Sequence, residues 1–378
     1  MSPEPGKPSE PCQSPTRLWL RQNAVLFPFL VLLALLAVAF PHEIVHSPSF
    51  VDWRTVGTLT GLMAITTALK ETGVFSAVAR RILQRLRGHR SLAFFLVGLS
   101  AVLAMFFTND IALFIVVPLT LALQDHVHGD LHRLVVFEAL AVNVGSTLTP
   151  IGNPQNLLLW HLWQVPFVAF VVRMWPLFTL QAVVLGVFVL LAFPRGQLRM
   201  RLPESPRCHR PGLFAFSLVL LVGFVLSVEL HRVPWALPVV LALYALVAPE
   251  VLRSMDWPLL VLFVVMFVDF HLLAQVPALA QWVHHWGPAE PKPVFWMSLG
   301  LSQVMSNVPA TIFMARFTHL WQPLAYGVNL GGNGLVIGSL ANLIALRLAG
   351  GRRIWLTFHA YSLPFLGITA LLALWWLV

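Results

Sequence analysis

Long apolar runs alternate with short polar connections along almost the whole chain, and the pattern predicts a bundle of membrane-crossing helices. The expected spans are 23–40, 54–70, 131–163, 168–194, 211–230, 235–250, 257–275, 324–349 and 354–377. Two further pairs of apolar pieces, 91–107 with 110–124 and 293–305 with 309–319, are short and meet at polar tips, FTND and SNVP. Such pieces read as re-entrant hairpins. Residues 73–88 carry an amphipathic pattern and read as a helix lying on the membrane surface. The fold class is therefore all-α and polytopic, with about 10–11 transmembrane segments.

Two of these spans are broken in the same way. VNVGSTLTPIGNPQNL (142–157) aligns without a gap to VNLGGNGLVIGSLANL (328–343), pairing Val142/Val328, Asn143/Asn329, Gly145/Gly331, Ile151/Ile337, Gly152/Gly338, Asn156/Asn342 and Leu157/Leu343. Other positions repeat too: Asp52-Trp53 with Asp256-Trp257, and Thr108, Asn109 and Ala112 with Ser306, Asn307 and Ala310. The chain thus divides into a tail (1–22), a first repeat (23–194), a cytosolic loop with a linking helix (195–234) and a second repeat (235–378). Arg-rich connections place the N-terminus in the cytosol and the C-terminus outside. The two repeats then run in opposite senses through the membrane. Inverted repeats with paired broken helices are a transporter architecture, with the solute site at the breaks.

Composition narrows the class. The chain is 58% hydrophobic and 10% charged, with mean hydropathy +0.79, whereas soluble domains carry about 25% charged residues. A net charge of +9 falls in short connections and sets orientation, so it does not indicate nucleic acid. Residues 1–22 are polar and Pro-rich and read as a disordered cytosolic tail without a cleavable leader. Cys12 and Cys208 both fall in polar cytosolic stretches, so no disulfide is expected. The pairs His126/His128 and His284/His285 lack a matching ligand set, and no resident metal or cofactor is expected. No nucleophile elbow, zinc-protease helix or phosphate loop is present, so an enzyme is not expected.

Four polar elements are expected to converge: the tips 107–110 and 306–309, and the breaks 149–156 and 331–342. The candidate binding residues are Thr108, Asn109, Asp110, Thr149, Gly152, Asn153, Asn156, Ser306, Asn307, Asn333, Gly338, Ser339 and Asn342. Helix N-termini there offer unpaired N–H groups for an oxyanion, and helix C-termini offer carbonyls for a cation. The plainer alternative is that these Asn and Ser side chains only bond helix to helix. Asp110 stands out because Val308 occupies its matched position. An intramembrane carboxylate is costly and usually functional, and Asp110 is the expected proton-coupling group. Alternatively it caps helix 110–124. Glu138 is expected either to be solvated or Arg-paired or to take part in transport, and Asp269 either to pair with His271 or to sit at the outer interface.

The phrases FTNDIALFIVVPL, TPIGNPQNLL, SNVPATI and GSLANLIAL resemble the arsenite-permease branch of the ion-transporter superfamily. That grouping also holds citrate and dicarboxylate carriers and sodium/proton antiporters. The resemblance implies a scaffold and a moving transport domain, often in a homodimer, with an elevator-like cycle. It also implies a Ser-Asn-Thr triplet at each tip of the sodium-coupled dicarboxylate carriers. Here the triplets are Thr108-Asn109-Asp110 and Ser306-Asn307-Val308, so both third positions depart from Thr. The expectation is an inner-membrane permease for a small anion or metalloid oxyanion such as arsenite, coupled to H+ or Na+. The alternatives are a sodium/proton antiporter or a citrate/dicarboxylate carrier on the same scaffold.

Overall fold

A computed structural model describes residues 25–86, 88–123, 131–196 and 210–378. The expected tail 1–22, both cysteines, His126/His128 and most of the 195–210 connection lie outside the described residues. The elements among the described residues are helices joined by short loops. The first half begins with α1 (Leu26–Ala39), α2 (Ser47–Phe50), α3 (Trp53–Glu71) and α4 (Val74–Leu83). A hairpin of α5 (His89–Phe106) and α6 (Asn109–Leu121) follows, then a broken helix α7 (Leu131–Ser146) and α8 (Pro154–Trp163), then α9 (Phe167–Ala192). After α10 (Pro211–Glu229) the order recurs as α11 (Val233–Val247), α12 (Pro249–Ser254), α13 (Trp257–Ala274) and α14 (Pro277–His285). The second hairpin is α15 (Pro291–Met305) and α16 (Asn307–Met314), the second broken helix α17 (Trp321–Gly331) and α18 (Leu340–Ala349), and the last helix α19 (Arg353–Trp376).

Five of these helices are long and apolar enough to cross a membrane: α5, α9, α10, α13 and α19. The bent pair α3–α4 makes a sixth, turning 49° at Gly73. Gly73 has φ +71, a left-handed value that glycine takes without the clash a Cβ would bring. In place of the helix expected over 73–88 stands the shorter α4, which continues α3 across the bend, and α2, α12 and α14 are short elements that the apolar pattern did not indicate. At 1.5 Å per residue, the 8 residues of α16 and the 10 residues each of α8 and α18 reach only about half of a ~30 Å hydrocarbon core.

The recurrence extends to local bonding. Asp52 caps α3 by accepting from the Arg54 and Thr55 amides, and Asp256 caps α13 by accepting from Leu259. The Trp53 indole donates to the Pro48 carbonyl at 2.9 Å, and the Trp257 indole to the Leu252 carbonyl at 2.9 Å. Each half's first helix packs on the other half: α1 lies on α13, and α11 lies on α3. Within each half the hairpin packs most heavily on the broken helix, α5 on α7 and α15 on α17.

That packing needs small residues. A Cβ at Gly145 would sit 2.0 Å from the Ala101 carbonyl oxygen, and one at the paired Gly331 would sit 2.5 Å from Ser302 Cβ. The cost of overpacking is about 1–3 kcal/mol. Gly145→Ala is therefore expected to lower the unfolding temperature of the detergent-solubilised protein by several degrees. Gly98→Ala, with nothing within 4 Å, leaves it unchanged or slightly raised; equal thermal scans for the two variants would refute the close-packing account.

Candidate functional site

Breaking a helix in an apolar interior leaves its last carbonyls without partners. In the first half, Asn156 Nδ2 donates to the carbonyls of Ser146 (3.0 Å), the last residue of α7, and Thr149 (3.2 Å) in the break. In the second, the matched Asn342 Nδ2 donates to the Gly332 carbonyl at 2.8 Å, just past α17. Each of these side chains is then held from the opposite half. Asn329 Nδ2 on α17 donates to Asn156 Oδ1 at 2.7 Å, and Asn143 Nδ2 on α7 donates to Asn342 Oδ1 at 2.9 Å. Two asparagine pairs therefore cross between the halves. All four side chains are buried.

The crossing extends to a tip and a loop. Asn109 Nδ2 donates to Asn143 Oδ1 at 3.1 Å, tying the first hairpin into the network. Asn153 Nδ2 donates to Asn329 Oδ1 at 3.0 Å, while Asn153 Oδ1 caps α8 through the Asn156 amide at 2.8 Å. Asn143 and Asn329 were not among the sequence candidates. The signal was available, since both are matched in the repeat, but they precede the breaks on uninterrupted helix and read as part of the apolar run.

Each break is also pinned to its own hairpin, by opposite means. Thr149 Oγ1 donates to the Met105 carbonyl at 2.5 Å. At the matched positions, Gln303 Oε1 accepts from the Leu335 amide at 2.7 Å and its Nε2 donates to the Gly331 carbonyl at 2.6 Å. Gly152 and Gly338 permit these folds, since a Cβ would meet the Ser146 oxygen at 2.6 Å and the Gly331 oxygen at 2.4 Å respectively. Asn333 is fully buried with neither its Oδ1 nor its Nδ2 bonded.

The two tips differ. Thr108 begins α6 in ordinary extended geometry (φ −62, ψ 151). Its match Ser306 has φ 76 and ψ 159, a region nearly confined to glycine and costing about 1–3 kcal/mol. The Ser306 hydroxyl points at Asn307 Oδ1 (3.3 Å) and the Gly338 carbonyl (3.5 Å), and Asn307 Oδ1 accepts from the Val308 amide at 2.9 Å.

A cavity of about 40 Å³ lies where these elements meet. Its polar wall is Thr108, Asn109, Asp110, Gln155, Asn307 and Ser339, and its apolar wall includes Leu59 and Met63 from α3 and Leu259 and Phe263 from α13. Asn109 Oδ1 is buried there without a hydrogen-bond partner. Of the expected candidates, Thr108, Asn109, Asp110, Asn307 and Ser339 face this space. Asn153, Asn156 and Asn342 form the network behind it, and Thr149, Gly152, Ser306 and Gly338 shape the tips and breaks.

Asp110 lines both that cavity and a recess of about 110 Å³, whose other walls include Leu340, Leu343, Ile344, Asp256 and Arg347. The side chain is half-buried and makes no hydrogen bond among the described residues. The capping bond offered as an alternative is not formed. Nor is Asp110 isolated from basic groups, because Arg347 lines the same recess.

Two expectations for other carboxyl groups are corrected. Asp269 does not pair with His271: it is fully buried on α13 with neither oxygen bonded among the described residues. Its expected partner His271 instead stacks on Phe50, with ring centroids 3.7 Å apart, and bonds Arg316. Glu138 is not solvated: it is fully buried on α7 and accepts from the Thr120 hydroxyl at the far end of α6.

Paired hairpins and broken helices around a polar cavity, carried on apolar helices of membrane-crossing length, define a multi-pass membrane transporter. The chain belongs to the citrate transporter family, whose sequence profile matches residues 18–319. It is 42% identical over 320 residues to inner membrane protein YbiR of Escherichia coli, covering 84% of this chain and 86% of the relative. It is 32% identical over 324 residues to the uncharacterized transporter MJ0456 of Methanocaldococcus jannaschii, covering 85% and 87%. A mycobacterial relative, the uncharacterized transporter Rv2684 of Mycobacterium tuberculosis, is 25% identical over 357 residues, covering 83% and 82%.

Replacing Asn329 by Leu would orphan Asn156 Oδ1 and remove one of the three acceptors of Asn153 Nδ2, which keeps the Ser146 carbonyl and hydroxyl. Each buried polar group left unpaired costs about 1–3 kcal/mol. The variant is expected to unfold well below the wild type in a detergent thermal scan; unchanged unfolding would remove the crossing from the account of stability.

Proposed function

We propose that the chain is a secondary active transporter of a small, oxygen-rich solute of low charge, arsenite-like, coupled to proton movement through Asp110. The observation that carries the substrate class is the charge of the cavity wall. Among its lining residues Asp110 is the one ionisable group, and no Lys, Arg or His is present. A multivalent anion would bring several negative charges beside a carboxylate with no cation to offset them. A neutral polyhydroxyl solute needs only donors and acceptors, which Asn109, Asn307, Gln155, Ser339 and Thr108 supply. The space, about three water-sized probes, also fits a small solute.

Asp110 is the coupling group in this reading because it lines both the cavity and the recess. A proton arriving along the recess reaches it without crossing the apolar wall, and its charge state sets what the cavity will hold. The paired elements of the two halves would serve as inverted repeats that exchange conformations in an elevator-type cycle. The protein would work in a cell's inner membrane, with its N-terminus cytosolic and its C-terminus outside. A homodimer, as the family resemblance implies, would suit a fixed scaffold built on α1, α3, α10, α11 and α13.

A second reading has its own support. The unpartnered Asn109 Oδ1 beside Asp110 is an oxygen pair suited to a monovalent cation, and a sodium/proton antiporter would use it. A citrate or dicarboxylate carrier is suggested by the family's description alone.

Purified protein in liposomes with an internal pH dye separates these. Arsenite is expected to move protons with a saturable dependence, while sodium alone and citrate do not. Asp110→Asn is expected to abolish the pH-driven component by more than about tenfold while the protein remains folded. Proton movement on sodium alone would replace the proposal with the antiporter, and undiminished coupling in Asp110→Asn would remove that carboxyl from the mechanism.

A further inference from the structure

The repeat supplies an internal comparison for the recess beside Asp110. Its residues on α18 have partners in the first half at one offset, and those beside α13 at another: Arg347 matches His161 and Ile344 matches Leu158, while Asp256 matches Asp52 and Leu262 matches Thr58. The two places are built alike but stand in different states. In the second half, Ile344 and Leu343 are half-buried and line open space together with Asp256 and Arg347, with no ion pair between those two. In the first half, Leu157 and Leu158 are 1% and 2% exposed. There His161 Nε2 and Thr58 Oγ1 are joined at 3.0 Å, so α8 is bonded directly to α3. A second bond holds the same end: Glu229, the last residue of α10, accepts from the Phe167 amide at the start of α9 at 3.1 Å.

We infer that the His161–Thr58 bond is the latch that closes one route to the cavity, and that Arg347 and Asp256 form the matching latch of the other route, open in this structure. The inference rests on reading the chain as an alternating-access transporter. Leu262 cannot repeat the role of Thr58, so the second latch uses the carboxylate one turn and a half earlier on α13. That change of chemistry follows from the residue that each half offers opposite α8 or α18: a hydroxyl for the imidazole, a carboxylate for the guanidinium. Closing the recess brings Arg347 onto Asp256 and shields Asp110. Opening the first route releases His161 from Thr58 and exposes Leu158. One route is closed in each state, as alternation between two discrete arrangements requires.

The test is site-directed labelling of the full-length protein in detergent, where both faces are open to the reagent, with Cys12 and Cys208 changed to Ser. Single cysteines at Ile344 and Leu158 are read with a water-soluble maleimide. In the parent, Ile344→Cys reacts readily and Leu158→Cys slowly. Adding Thr58→Val raises labelling at 158 about fivefold, the population shift from losing one net hydrogen bond, and lowers it at 344. Thr58→Ser keeps the hydroxyl and the parent pattern, which separates loss of the bond from damage to α3. Arg347→Gln acts in the opposite sense, suppressing labelling at 158 below the parent level. Exchanging the pair, Arg347→Asp with Asp256→Arg, restores it. Equal labelling at the two sites in the parent, or identical patterns for Thr58→Val and Thr58→Ser, would overturn the inference. The labelling needs no solute. If it follows this pattern while no solute moves protons, the latches stand and the transport proposal falls; if solute moves but Thr58→Val labels like Thr58→Ser, only the latches fall.

Discussion

Everything at the centre of this protein follows from the need to satisfy backbone carbonyls where two helices are broken inside an apolar interior. The structure meets that need with amide side chains, because an amide offers donors to the loose carbonyls while its own oxygen remains free to accept. Asn156 and Asn342 do this for their own halves. Asn329 and Asn143 then complete them from the other half, at 2.7 and 2.9 Å. The result joins the halves at the point where each is weakest. Neither broken helix is fully satisfied without its counterpart, so the two must form as one unit.

The departures from symmetry lie beside that shared frame, and they are where a solute would act. One tip carries Asp110 and the other Val308; one has relaxed geometry at Thr108 and the other strained geometry at Ser306. Strain of that kind persists only where the surroundings over-determine it. Here Ser306 is fixed between the second hairpin and the second break, so any movement of Gly338 reaches it directly. The first tip is bonded to the crossing through Asn109, whereas the second tip bonds its own backbone and the break of its own half, not the crossing. An element free of the crossing can shift without breaking it.

Much of this was legible in the chain. The spans, both hairpins and both breaks follow from apolar run length and from the Gly, Pro and Asn interruptions, since lipid punishes unpaired backbone severely enough to leave a clear trace. The cavity residues at the tips were legible because they recur at matched positions. Asn143 and Asn329 were not recognised, because a single polar residue in an apolar helix carries no sign of which distant side chain it meets. The surroundings of Asp269 and Glu138 were misread for a related reason: hydropathy locates a residue along a helix but not around it. The short helices α2, α12 and α14 escaped because their few residues carry too little periodicity to separate them from loops.

The account stands on the two halves being bonded through crossed asparagines, and a double-mutant cycle on unfolding tests this most directly. Asn143→Ala, Asn342→Ala and the double variant would be unfolded in detergent alongside the wild type. The account predicts that the second substitution adds far less than the first, with a coupling energy of about 1 kcal/mol or more for a buried pair in contact. Strict additivity of the two losses would mean that the side chains act independently and that the crossing does not hold the halves together.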